Sequence, residues 1–191
     1  MHRFERRLPI DLTPYPDPGV EAARSGPPLS QGVILTLVNT VGGEHLSEET
    51  QDILDSVEPE VWYLGQTLES VINELEEQDP SLPYGIGKNI YYTLRAQFVA
   101  LGINSPTDVI NTLPLVWSLV TRGDSGEWRN QVPEPGHGRL ELDQPYHCGF
   151  ESGALHGAME AFGAYDVLID HSQCVRQGAP FCVLDVTWKE A

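Results

Sequence analysis

Lysine is nearly missing from this 191-residue chain: only Lys88 and Lys189 occur, and Lys plus Arg total 11 against 28 Asp plus Glu. The formal charge of −17 would repel phosphate backbones and anionic headgroups, which excludes general binding to nucleic acid or acidic membranes. Long apolar runs are also lacking. Gly32 to Val41 is broken by Thr36, Asn39 and Thr40 and falls short of the roughly 20 apolar residues a membrane span needs. Arg3, Arg6 and Arg7 make a basic start, but Pro9, Asp11, Pro14, Pro16, Asp17 and Pro18 stand where a secretory leader would place its apolar core, so the expected location is the cytoplasm. No G-x-G-x-x-G, G-x-x-x-x-G-K-[ST] or G-x-S-x-G motif is present, and no histidine pairs with glutamate in the manner of a zinc hydrolase helix. Nucleotide, triad and metallohydrolase chemistries thereby lose their usual signals.

What remains is patterning for one domain. Residues 1–28 hold six prolines and read as an extended arm, with residues 29–191 forming the folded unit. Val33, Ile34, Leu37, Val38 and Val41 fall at helical spacing, although the β-branched content and Gly42-Gly43 also permit a strand, and Ser47 before Glu48 and Glu49 caps a short helix over 47–57. The stripe Val61, Leu64, Leu68, Val71, Ile72 and Leu75 predicts a helix over 60–78 with Glu69, Glu74, Glu76 and Glu77 facing outward. Two more helices are expected over 84–102 and 106–121, the latter opened by Ser105 and Pro106. Past Gly123 and Gly126 the pattern turns to β-type runs at 127–132, 139–142, 167–171 and 181–188, with a helix over 147–162 between the second and third. Turns at 133–138 and 177–180 should close two hairpins. The fold class is therefore α+β, N-terminal helices packed on an antiparallel sheet, with a β-β-α-β-β C-terminal half.

Three cysteines cannot all pair within the chain, so their spacing matters. Cys148 opens the last helix, Cys174 ends a strand and Cys182 follows one hairpin later, a C-x25-C-x7-C pattern. Thiolates are good zinc ligands, and a Gly-Ala-Pro turn lets two of them converge, although buried cysteine also serves as a small apolar residue.

Cys148-Gly149-Phe150-Glu151-Ser152-Gly153-Ala154-Leu155-His156-Gly157, then Gly163, Cys174, Gly178, Cys182 and Val186-Thr187-Trp188, resembles the 4-vinyl reductase or hydrocarbon-binding domain family, whose fold is related to TRAPP subunits and distantly to haem nitric-oxide sensors. The resemblance covers about 60 residues. It implies a zinc ion held by Cys148, Cys174 and Cys182 plus a glutamate about twenty residues before the first cysteine. Glu127, in Gly126-Glu127-Trp128-Arg129-Asn130, is the choice for that fourth ligand, with His147 as runner-up. A filled shell makes the zinc structural and leaves no open position for water. For haem, no Y-x-S-x-R run is present to match those sensors. His137, His147, His156 and His171 are each read as surface or hydrogen-bonded residues.

The resemblance points to a non-enzymatic domain that binds or senses an aromatic, lipid-like or tetrapyrrole ligand in an apolar cavity and signals through a separate partner. Tyr91, Tyr92, Phe98, Trp117 and Phe150 are the candidate walls, which as aromatics could equally be core filling. The alternatives are an enzyme or accessory protein in vinyl tetrapyrrole reduction and a TRAPP-like interaction module. Leu29 to Val41 is too apolar to stay exposed, so a homodimer through the N-terminal region is expected.

Overall fold

Helix starts sit where capping chemistry puts them. Ser47 Oγ accepts a hydrogen bond from the Thr50 amide at 3.3 Å, and Ser105 Oγ accepts one from the Asp108 amide at 3.1 Å with Pro106 in the first turn. The computed structural model describes residues 3–19 and 25–190. In chain order the elements are β1 (Leu29–Gln31), α1 (Gly32–Gly42), α2 (Glu48–Leu54), β2 (Trp62–Leu64), α3 (Gly65–Gln78), α4 (Leu82–Thr93), α5 (Arg95–Ala100), α6 (Pro106–Val120), β3 (Thr121–Arg122), β4 (Glu127–Glu134), β5 (His137–Asp143), α7 (Cys148–Ala161), β6 (Tyr165–Gln173) and β7 (Cys182–Lys189). The α+β class and the β-β-α-β-β order of the C-terminal half are as the sequence pattern predicts.

A four-stranded antiparallel sheet runs β4-β5-β7-β6, with both expected hairpins present. Leu140 and Leu142 on β5 and Cys182, Leu184 and Val186 on β7 point their alternate side chains into the core beneath the helices. A second sheet, β2-β1-β3, has strands of two or three residues and shows no alternation in the sequence. It corrects the expected helix over 60–78, which starts only at Gly65 because Trp62–Leu64 pair with Leu29–Gln31. The expected helix over 84–102 is likewise two helices, α4 and α5, separated at Leu94.

Helices α4 and α7 cross with backbones nearly touching. A Cβ on Gly87 would stand 2.3 Å from the Phe150 carbonyl oxygen, and one on Gly157 would stand 2.0 Å from that of Lys88. Glycine is required at this crossing by space alone, and the contact fixes where α7 delivers Cys148 and Glu151. Ile34, Leu35 and Val38 of α1 are buried against the chain's own core, so the apolar segment that suggested a homodimer is already covered.

Two carboxylates expected to face solvent on α3 are buried instead, Glu69 at 5% exposure and Glu74 at 4%. The reason is the arm together with the 175–177 turn, whose Arg176 pairs with Glu69 at 2.7 Å. Residues 3–13 run along α3, with the Glu5 amide on Gln66 Oε1 at 2.9 Å, the Leu8 amide on Ser70 Oγ at 3.0 Å and Thr67 Oγ1 donating to the Asp11 carbonyl at 2.8 Å. Of the proline-rich arm read over 1–28, residues 1–2 and 20–24 lie outside the described residues. Among the described residues no helix is long and apolar enough to cross a membrane.

Candidate functional site

All three cysteines are free and buried, and the fold draws them together from separate elements. Cys148 is the first residue of α7, Cys174 follows the irregular end of β6, and Cys182 opens β7 opposite Leu142. Cys148 and Cys174 have their sulfurs 3.3 Å apart, and the Val175 amide donates to Cys182 Sγ at 3.3 Å. One imidazole joins them: a ligand atom each from Cys148, His171, Cys174 and Cys182 lie within 4.8 Å of one another. His171 Nε2 is buried and has no hydrogen-bond partner among the described residues. Zinc–sulfur bonds of about 2.3 Å in a tetrahedron separate the sulfurs by about 3.8 Å, so this quartet needs only small adjustments to close on one ion. Hydrogen bonding from Cys148 holds the Cys182 thiol down to about 4, with the neighbouring His171 imidazole and the Val175 amide assisting. The proton is left on Cys148, whose thiol is pushed up by its hydrogen bond to Cys182 and by burial.

The fourth donor atom lying with the three thiols is that of His171, and neither Glu127 nor His147 is among the gathered atoms. Glu127 lies opposite Asp143 at the start of β4 and borders a cleft elsewhere in the domain. His147 caps α7: its Nδ1 accepts from the Phe150 amide at 3.3 Å and its Nε2 lies 3.2 Å from Glu76 Oε1. A side chain whose two nitrogens face the helix start and α3 cannot also face the thiols. His171 escapes sequence reasoning because a lone histidine on a strand looks ordinary. The available signal is its place three residues before Cys174, an H-x2-C-x7-C run.

A second buried feature lies between the helices and the sheet. Tyr91, Val116, Trp117, Trp128 and Glu151 border a cavity of about 10 Å³, and the same two indoles border an outer cleft of about 270 Å³. The indole centroids are 5.6 Å apart with planes inclined by 33°. Trp128 Nε1 is buried with no partner among the described residues. The Glu151 carboxyl is 4% exposed, and no hydrogen bond from the described residues offsets its burial. Burial first, and then the charge of Glu69, pushes Glu151 up to about 8. Of the candidate walls, Tyr91 and Trp117 border this cavity. Phe98 packs beside Tyr91 with ring centroids 6.1 Å apart, Phe150 is buried in the general core, and Tyr92 is 54% exposed, turned away from any interior space.

Glu151 carries a testable pH signature. In the unfolded chain it titrates near its ordinary value of 4.5, whereas in the folded protein it titrates at about 8. Between those values the folded state holds a proton that the unfolded state has released, so stability falls as pH rises through the window and is unaffected by this group below it. Glu151→Gln should remove about 3 kcal/mol of that loss between about pH 5 and 8, read by denaturant unfolding. Parallel slopes for the two proteins would show the carboxyl to be ionised in the native state.

No protein-family model and no curated protein sequence matches the chain. Solved structures do match. An H-NOX protein from S. oneidensis in its Fe(II)NO ligation state superposes with a TM-score of 0.64 at 16% identity, covering 84% of this chain and 99% of that one. A protein from work on heme distortion in the H-NOX family gives 0.59 at 12%, covering 84% and 94%. A single-residue variant of Tt H-NOX gives 0.57 at 11%, covering 83% and 93%. These likenesses establish an H-NOX-like fold. Iron and heme figure in the descriptions of the first two, and the interior here does not fit that group as arranged. Its helix–sheet cavity measures about 10 Å³ where a ligand of tetrapyrrole size needs several hundred. No described histidine borders either that cavity or the outer cleft.

Proposed function

We propose that the chain is a non-enzymatic sensor domain of H-NOX-like fold, in which a zinc ion stabilises the C-terminal half and a small aromatic molecule bearing a hydroxyl is the signal. The zinc shell is Cys148, His171, Cys174 and Cys182. Three thiols and an imidazole form a closed donor set of the kind found in structural sites, so the ion supplies folding energy and leaves no open position for a substrate. The Val175 amide donates to Cys182 Sγ at 3.3 Å and orients it.

The ligand reading is carried by one observation: an unpartnered indole N–H on Trp128 and a buried Glu151 carboxyl share a cavity walled by aromatic rings. A hydroxyl answers both groups. Its oxygen accepts from Trp128 Nε1 while its O–H donates to a Glu151 oxygen, and an aromatic ring suits the Trp117 and Tyr91 walls. Entry requires the cavity to grow, and the outer cleft across the Trp117–Trp128 pair provides the adjoining space. The change in spacing between α6 and α7 that follows is what a separate partner protein would read.

Tryptophan fluorescence titrated with phenol and with toluene tests this. Phenol should bind at least about tenfold more tightly, and Trp128→Phe should abolish that preference, since one hydrogen bond to a buried donor is worth about 1 kcal/mol or more. Equal affinity for the two compounds in the wild-type protein would sink the hydroxyl assignment, and no response to either would sink the pocket.

A further inference from the structure

Between Cys174 and Cys182 the chain makes a single 3-10 turn, Val175–Gln177, and Arg176 reaches from it across to α3. Its Nη1 donates to Glu69 Oε1 at 2.7 Å, and its Nη2 donates to Asn73 Oδ1 at 2.7 Å and to Glu76 Oε2 at 2.9 Å. Glu69 and Asn73 are buried, so this guanidinium serves as counter-charge to a carboxyl that water scarcely reaches. Glu76 is shared more widely. The same Oε2 accepts from Arg6 of the arm at 2.9 Å, and Oε1 lies 3.2 Å from Nε2 of His147, the residue before Cys148. One carboxylate thus joins the arm, the turn between two of the four gathered donors and the neighbour of a third.

The arm's hold is weakest at Arg6. Arg6 is 65% exposed in its ion pair with Glu76, a surface pair that contributes little by itself, whereas Arg7 reaches the buried Glu74 and the Phe4 ring packs edge-on against Tyr146 with centroids 5.1 Å apart. A cleft of about 310 Å³ is lined by Arg3, Phe4 and Arg6 of the arm and by Val175 and Arg176, and one of about 540 Å³ lies beside Arg7–Ile10. The part of the segment around Arg6 therefore depends on the orientation of Glu76 beneath it.

We propose that residues 3–13 form a strap whose seat on α3 follows the occupancy of the Cys148–His171–Cys174–Cys182 centre, with Arg176 and Glu76 as the joint. This rests on the reading of that centre as a zinc site. A filled centre tethers both ends of the 175–181 loop and so fixes the base from which Arg176 reaches Glu69 and Glu76. An empty centre frees those ends. Arg176 then loses its fixed approach, Glu76 is left to Arg6 and His147 alone, and the strap loosens at Glu5 to Leu8. The chain just beyond it, where the Tyr15 amide donates to the Trp62 carbonyl at 2.9 Å, is anchored on the small sheet and stays.

Amide hydrogen exchange on the full zinc-loaded chain, before and after stripping with a chelator, reads this directly. Exchange at Glu5 and Leu8 should quicken by about tenfold or more while Tyr15 and the core amides of Val38 and Ile72 hold. Zinc-loaded Arg176→Gln should give the same loosening with its zinc content intact, and Arg176→Lys should restore part of the wild-type protection. The Arg176→Gln variant decides the matter if stripping also loosens the core. Zinc uptake followed by unchanged exchange at Glu5 and Leu8, or unchanged exchange in Arg176→Gln, overturns the strap proposal alone. Failure of the chain to take up zinc overturns the metal reading and the strap with it.

Discussion

His171→Ala should cost the protein its zinc and lower its melting temperature by about 10 °C, whereas Glu127→Gln should leave both unchanged. The first expectation follows from geometry, because His171 completes the group of donor atoms that lie within 4.8 Å of one another. The magnitude follows from linkage. Binding energy of a structural zinc is folding energy, and losing about 3 kcal/mol of it shifts the midpoint of a domain this size by about 10 °C. Cys174→Ser and Cys182→Ser should behave as His171→Ala does, with the damage confined first to β6, β7 and the loop between them. Elemental analysis with thermal melting of the four variants separates the readings. If Glu127→Gln loses the metal and His171→Ala keeps it, the fourth ligand is the carboxylate and the arrangement of β6 must change on metal binding.

How much of this is legible in the sequence depends on where each signal resides. Helices with a side-chain cap and a first-turn proline, such as α6, can be placed to within a residue or two because capping is local chemistry. The C-terminal hairpins are legible from turn residues between β-branched runs. The strands of the small sheet are not, since Leu29–Gln31 and Trp62–Leu64 are too short for alternation and exist only because they pair with each other. The convergence of the three cysteines can be anticipated, because each sits at the end of a predictable element. The nearness of His171 to them cannot, because the resemblance points to Glu127, which pairs opposite Asp143 in the sheet, and nothing local marks a lone strand histidine.

Burial of charge is the harder lesson. Glu69 and Glu74 lie on α3 among other glutamates, and helical periodicity assigns them all to solvent. Burial arises because two distant segments, the arm and the 175–177 turn, bring Arg7 and Arg176 to them. Glu151 is hidden differently. It falls three residues after Cys148 in a helix whose small residues let neighbouring elements close over it, so no polar face marks where water stops. Long-range packing decides all three cases, and local patterning carries no trace of it.

The α4–α7 crossing gives the sharpest structural expectation. Gly157→Ala should destabilise the protein by about 3 kcal/mol or more, since its new Cβ would meet the Lys88 carbonyl oxygen at 2.0 Å and a backbone atom cannot swing aside. Relief requires the two helices to part. Tyr91 lies on α4 and Glu151 on α7, so parting them would also widen the cavity that they share and blunt any preference for a hydroxyl-bearing ligand. The control lies on α4 itself. Gly85 has nothing within 4 Å of where a Cβ would go, so Gly85→Ala should stabilise the protein by about 0.5 to 1 kcal/mol through helix propensity alone. Denaturant unfolding of the two variants side by side isolates contact from propensity. A Gly157→Ala protein as stable as Gly85→Ala would mean that α4 and α7 do not touch at this crossing, and the placement of Cys148 and Glu151 by that contact would fall with it.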